Sequence, residues 1–115
     1  MADGKMLTSM LQEISRGTVT LAVLLTTEKP VYGYSLVTAL QEAGLEVEQN
    51  TLYPLLRRLE SQGLLTSSWD TGESRPRKYY QLTEEGRRVG GLLGDEWQRL
   101  NGVMSGLIGD AEEEK

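Results

Sequence analysis

The residues best suited to chemistry lie together in the middle of the chain. Between Asn50 and Lys78 come the cations Arg57, Arg58, Arg75, Arg77 and Lys78, with the amide of Asn50, the hydroxyl of Thr51 and the phenol of Tyr53 at the leading edge. Guanidinium and ammonium groups hold phosphate, while amides and hydroxyls read base edges, so the chemistry on offer is recognition rather than bond making. Catalysis has little to work with. The 115 residues include no histidine and no cysteine, and no glycine-rich phosphate loop follows a strand. General-base work would fall to surface carboxylates with ordinary pKa values. The expectation is a non-enzyme with no metal, no disulfide and no cofactor.

A net charge of -5 argues against nucleic acid, but its distribution does not. Residues 1–49 carry 3 basic and 6 acidic groups, residues 50–88 carry 7 and 5, and residues 89–115 carry 2 and 6. A local basic footprint is sufficient, because charges beyond a Debye length of about 8 Å are largely screened at physiological salt.

The element that must present these groups is read from NTLYPLLRRLESQGLL, residues 50–65. Leu52, Leu55, Leu56 and Leu59 make one apolar stripe at helical spacing. Asn50 and Thr51 are placed to cap the first turn, Pro54 lies early enough to cost little, and Gly63 supplies a left-handed stop. The opposite side shows Thr51, Tyr53, Arg57, Arg58 and Ser61. Such a face serves nucleic acid or is an ordinary solvated helix surface.

Upstream, residues 6–25 read as one long helix with a weak point at Gly17. Its second half, VTLAVLL, is apolar nearly all round and is expected in the core; Met6, Met10 and Ile14 are expected on a partner subunit. Pro30 ends the segment. A second helix follows over residues 34–43, with Leu36, Val37 and Leu40 inward and Gly44 as its stop, and the alternation Leu45-Glu46-Val47-Glu48 reads as a short strand. Two short helices a few residues apart give a helix-turn-helix. Downstream, LLTSSWD reads as a strand with Leu65, Ser67 and Trp69 on one face, TGESRP as a turn, and RKYYQL as the returning strand with Tyr80 and Leu82 inward. A hairpin whose tip carries Arg75, Arg77 and Lys78, directly after such a helix, is the layout of a winged helix, with the cations directed to phosphates or the minor groove. A winged-helix module that binds protein instead of DNA is the competing reading.

VYGYSLVTALQEAG, NTLYPLLRRLESQGLL and RPRKYYQLTEEG, in this order and at these spacings, resemble the PadR-type winged-helix transcriptional regulators over about residues 17–88. The resemblance implies double-stranded DNA as partner, with Asn50, Thr51, Tyr53 and Arg57 facing bases and phosphates and Arg75, Arg77 and Lys78 gripping the backbone. Tyr32 and Tyr34 are read as packing and phosphate-positioning residues, with Tyr34 counted in the DNA-binding set.

Thr83-Glu84-Glu85 signals the start of a last helix. Leu93, Trp97, Leu100, Met104 and Leu107 then follow spacings of 4, 3, 4 and 3, a heptad seam. A domain this small cannot cover such a seam, so a homodimer is expected, with Met10, Ile14, Leu93, Trp97, Leu100, Met104 and Leu107 at its interface. Seven glycines from Gly86 to Gly109 weaken the helix, each interior one by about 1 kcal/mol relative to alanine. Short PadR-like regulators that end after one such helix include some that hold flat aromatic compounds between tryptophans at the dimer interface. That resemblance implies a planar aromatic ligand at Trp97, Leu93, Gly94, Leu100 and Asn101, and repression released by the ligand. Trp97 as plain interface packing, and a repressor without ligand, remain the alternatives.

The fold class that results is mainly α with a small β-hairpin wing, a winged helix-turn-helix plus a C-terminal dimerisation helix. Residues 1–82 are assigned to DNA binding, with the first helix also joining the dimer interface, residues 83–110 to the dimerisation helix, and residues 111–115 to a disordered tail. No apolar run approaches the roughly 20 residues of a membrane span, so a cytoplasmic protein with no membrane partner is expected.

Overall fold

The computed structural model of the protein describes residues 2–72 and 75–113, with side chains over residues 4–72 and 75–110. Glu73 and Ser74, at the centre of the expected turn, and the final residues 114 and 115 of the expected tail lie outside the described residues.

Among the described residues, four helices and three strands follow in the order α1 (Ala2–Thr26), β1 (Val31–Tyr32), α2 (Gly33–Glu42), α3 (Gln49–Ser61), β2 (Leu65–Asp70), β3 (Arg77–Leu82) and α4 (Glu84–Glu113). The core gathers one stripe from each element. Val23 and Leu24 of α1, Leu36 and Leu40 of α2, Leu52, Leu56 and Leu59 of α3, and Leu65, Tyr80 and Leu82 of the sheet are all buried. The helical spacing of the α3 leucines and the alternation of β3 therefore hold as expected. Only part of VTLAVLL does. Val19, Val23 and Leu24 enter the core while Leu25 is exposed, because one face of α1 is left to solvent.

The sheet corrects the reading of the loops. Residues 45–48 form no strand; Val47 dips into the core and is tied there by the Gln41 side-chain amide, which donates to its carbonyl at 2.8 Å. An alternating tetrapeptide needs a pairing partner to be a strand, and none lies alongside. The third strand is β1, just before α2, which pairs antiparallel with β3 through Val31↔Tyr80 and Tyr32↔Tyr79 to give the order β1-β3-β2.

Helix ends follow the glycines but not the expected caps. Gly44 and Gly63 take positive φ of 109° and 80° just past the C-caps Ala43 and Gln62 of α2 and α3, a conformation that costs glycine nothing. At the start of α3 the N-cap is Glu48, which makes no side-chain cap bond. Asn50 and Thr51 lie inside the first turn instead of capping it. Pro54 is the sixth helical residue, so it deprives the Asn50 carbonyl of its usual donor, at a point where both Asn50 and Pro54 are exposed.

The start of α4 is fastened firmly. The Thr83 hydroxyl accepts from the Gly86 N–H at 2.9 Å, the expected cap, and donates to the Gly63 carbonyl at 2.7 Å. Arg87 forms a forked ion pair with Glu28, with its Nη2 2.7 Å from Oε1. Gly86 is not a weak point here. A Cβ on it would overlap the Leu64 carbonyl oxygen and come within 2.7 Å of Leu82 Cδ1. From this anchorage α4 runs to Glu113, into the stretch expected to fray.

Candidate nucleic-acid interface

Helix α3 rests its leucines on the core and turns Asn50, Thr51, Arg57, Arg58 and Ser61 outward, all exposed. Tyr53 departs from the expected exposed face. It is half-buried, with its ring so close to α2 that a Cβ on Gly33 would meet Tyr53 Cε1 at 3.2 Å. Burial raises its phenol pKa, and the neighbouring Tyr32, Tyr80 and Tyr34 add to the effect. Glycine at position 33 thus makes room for Tyr53. The Tyr32 ring in turn lies 6.4 Å from Tyr34 and 5.9 Å from Tyr79. Tyr34 itself stands exposed at the start of α2.

The wing does not present its three cations alike. Arg75 is exposed near the tip, and the Arg77 guanidinium lies over the Tyr32 ring, 5.2 Å from its centroid. Lys78 is turned inward. Its ammonium sits 3.7 Å from Glu60 Oε1 and 5.2 Å from the centre of the Tyr80 ring. The pleat dictates this: residues 78, 80 and 82 share the face that packs on α3, while residues 77, 79 and 81 take the other. The same period places Trp69 on the face of Leu65 and Ser67, as expected, but beyond the core, where it is exposed. Ser67 and Lys78 both engage Glu60, in the last turn of α3, and so tie wing to helix.

A second feature lies between α1 and α4. Leu93, Trp97, Leu100, Asn101 and Met104 of α4 face Ile14, Gly17 and Leu21 of α1 across a groove of about 600 Å³. Gly94, expected there, does not line it. The α1 side, Glu13 included, was not legible from the α4 seam alone, because it depends on α1 and α4 being neighbours; Glu96, adjacent to Trp97 in the sequence, also borders the groove. Around the groove, Met6, Met10, Val103 and Leu107 are exposed. Among the described residues no group of acids is placed to hold a metal, and no helix is long and apolar enough to cross a membrane.

Two short helices, the second with a polar and cationic outer face, followed by an antiparallel wing, define a winged helix-turn-helix DNA-binding protein. The model of the transcriptional regulator PadR-like family matches residues 20–90, and the chain belongs to that family. It is therefore a DNA-binding transcriptional regulator, not an enzyme. It is 37% identical over 78 residues to the transcriptional regulator Rv3488 of Mycobacterium tuberculosis, covering 67% of this chain and 73% of that one. The crystal structure of a PadR family regulator from Eggerthella lenta is similar with a TM-score of 0.82 and 48% identity, over 94% of this chain and 96% of that one. A PadR-like regulator from Bacillus cereus gives a TM-score of 0.76 at 26% identity, over 84% of this chain and 96% of the other.

Proposed function

We propose that this chain acts as a homodimeric repressor in which residues 1–82 hold DNA, residues 83–110 hold a second copy, and a planar aromatic ligand releases the complex. One observation carries the proposal. The core is complete without Met10, Ile14, Leu93, Trp97, Leu100, Met104 and Leu107, yet these large apolar side chains are all exposed along α1 and α4. A contiguous apolar surface of this kind on a small domain marks an interface, and the commonest solution is a two-fold pair. Pairing through α4 would set two α3 helices on one side of a duplex.

Within this proposal Asn50, Thr51 and Arg57 contact bases and phosphates, Arg75 and Arg77 hold backbone from the wing, and Tyr34 positions a phosphate at the start of α2. Tyr53 and Lys78 act from behind, by fixing α3 against Gly33 and the wing against Glu60. The groove beside Trp97 supports the ligand, and Glu13 on its border favours one with positive charge, Glu96 being already paired with Arg99. Release requires that the ligand bind more tightly to the arrangement with the wrong helix spacing.

A mobility-shift titration with the duplex upstream of the protein's own gene, repeated with a panel of planar aromatic compounds, tests the proposal. The expected result is a retarded dimer complex that at least one compound dissolves while changing Trp97 emission. Retardation untouched by every compound, with emission also unmoved, would leave a dimeric regulator without small-molecule control. A monomer in sedimentation would remove the dimer.

A further inference from the structure

The wing carries a large apolar side chain that neither the core nor the α1–α4 surface accounts for. Among the described residues, the exposed large apolar side chains lie on α1 and α4, with the exceptions of Tyr34 and Trp69. Trp69 stands opposite Lys78 in the β2–β3 register, two pairs outward from Ser67↔Tyr80 and four from Leu65↔Leu82. Alternate opposed pairs share a face, so these three form a row on the side of the wing turned to α3. Burial falls away along it, from Leu65 at 2% exposed, through half-buried Ser67, to Trp69 at 62%. Glu60, in the last turn of α3, meets both Ser67 and Lys78. The indole therefore occupies the notch between the recognition helix and the tip that bears Arg75.

We infer that Trp69 packs against the sugar-phosphate backbone of bound duplex DNA, on the strand that separates the groove entered by α3 from the groove approached by the wing. The inference rests on the DNA-binding reading of this surface. A strand dividing two grooves must pass between the elements that occupy them, and that passage is this notch. Deoxyribose offers an apolar edge that a flat indole covers, while its flanking phosphates call for cations. Arg75, exposed toward the tip, supplies one, while the Lys78 ammonium, shared with Glu60, lies 5.8 Å from the indole centroid and backs the ring. Asp70, next to Trp69, belongs to the alternate pair opposite Arg77 and accepts from the Gly72 N–H, and Glu60 borders the notch with its carboxylate engaged by Lys78 and Ser67. The same engagement holds ammonium and indole in fixed relation before DNA arrives, so little order has to be created on binding. Because no base edge takes part, the contact is independent of sequence.

The test uses the whole protein and a labelled mixed-sequence duplex, long enough for two half-sites, at low salt. Trp69 and Trp97 are the two tryptophans of the chain. In the wild type, emission should change and move to shorter wavelength as the duplex anisotropy rises; in W69F the anisotropy should still rise while the emission change is lost. W69A should bind about tenfold more weakly and W69F within about threefold of wild type, as expected for removing or keeping an aromatic face. Wild-type affinity in W69A overturns the inference, and so does a full emission change in W69F, which would assign the signal to Trp97. If the wild type gives no anisotropy change at low salt, the DNA-binding reading falls, and this inference with it.

Discussion

At the scale of single residues, the cations were plain in the sequence but their directions were not. Arg57 and Arg75 point to solvent, whereas Lys78 is taken up by Glu60 and Tyr53 by the Gly33 gap. The alternation of RKYYQL that puts Tyr80 and Leu82 inward carries Lys78 to the same face, although all three wing cations were expected to face DNA; the Tyr53 gap needed the third dimension. Replacing Arg57 or Arg75 by alanine is expected to lower DNA affinity and flatten the plot of log affinity against log salt by about 0.9 per lost phosphate contact. An unchanged slope takes that residue out of the interface. Acid titration probes a different set. Glu28, Glu85 and Glu96 all have carboxyl pKa values below the ordinary 4.5, chiefly through hydrogen bonds from Arg87, Arg88 and Arg99. A carboxyl held below its unfolded value contributes stability that is complete above that value and disappears as pH falls through the folded one. The arginine partners keep their charge throughout, and the chain has no histidine to titrate nearer neutrality. Urea midpoints should therefore stay level from about pH 6 to 8 and decline below about pH 4.5, gently because these pairs are exposed. Arg87→Ala should make the decline shallower; an equal decline would show that the Glu28 pair adds nothing to acid sensitivity.

Elements were legible wherever a periodic pattern met a stop signal. The helices α2 and α3 begin within a residue of expectation, and the glycines after them take the left-handed turn. The strands were legible only where a hairpin supplied the partner locally. Leu45–Glu48 alternates but has no neighbour, whereas Val31–Tyr32 is too short to show a pattern and becomes a strand because β3 lies beside it. Glycines in α4 divide the same way. Gly86 sits where the helix start crosses the Leu64 carbonyl, while a Cβ on Gly91 would enter open space. Gly86→Ala should destabilise the fold by roughly 2 kcal/mol or more, since backbone must move to relieve the overlap. Gly91→Ala should raise stability by about 0.5–1 kcal/mol through helix propensity. Thr83→Ala should cost about 1–2 kcal/mol, because the hydroxyl both caps α4 and holds the Gly63 carbonyl. Calorimetry on the three variants orders them, and equal midpoints for Gly86→Ala and Gly91→Ala would contradict the crossing.

At the scale of the whole molecule, what matters is that α4 is too poor in intrinsic stability to carry so much apolar surface alone. Gly91, Gly94, Gly102, Gly106 and Gly109 weaken it, with open space beside each, while Leu93, Trp97, Leu100 and Met104 form only one wall of an open groove with α1. Leu92 and Val103 flank the seam on one side and Ile108 on the other, and all three are exposed. The apolar stripe is thus broader than one neighbouring helix covers, as the proposed dimer requires: α1 of the same chain takes one edge and the second copy takes the rest. Folding and pairing would then be linked, and the thermal midpoint should rise with protein concentration, as it does when the partner binds only the folded state. Leu100→Asp places a charge at the middle of the seam without touching the core, so the variant should keep the winged-helix fold yet sediment as a monomer. Its operator affinity should fall about a hundredfold or more, because each half-site must then be bound without the other held nearby. A midpoint independent of concentration, together with undiminished DNA binding by Leu100→Asp, would mean that one copy suffices and that the long apolar helix serves something other than pairing.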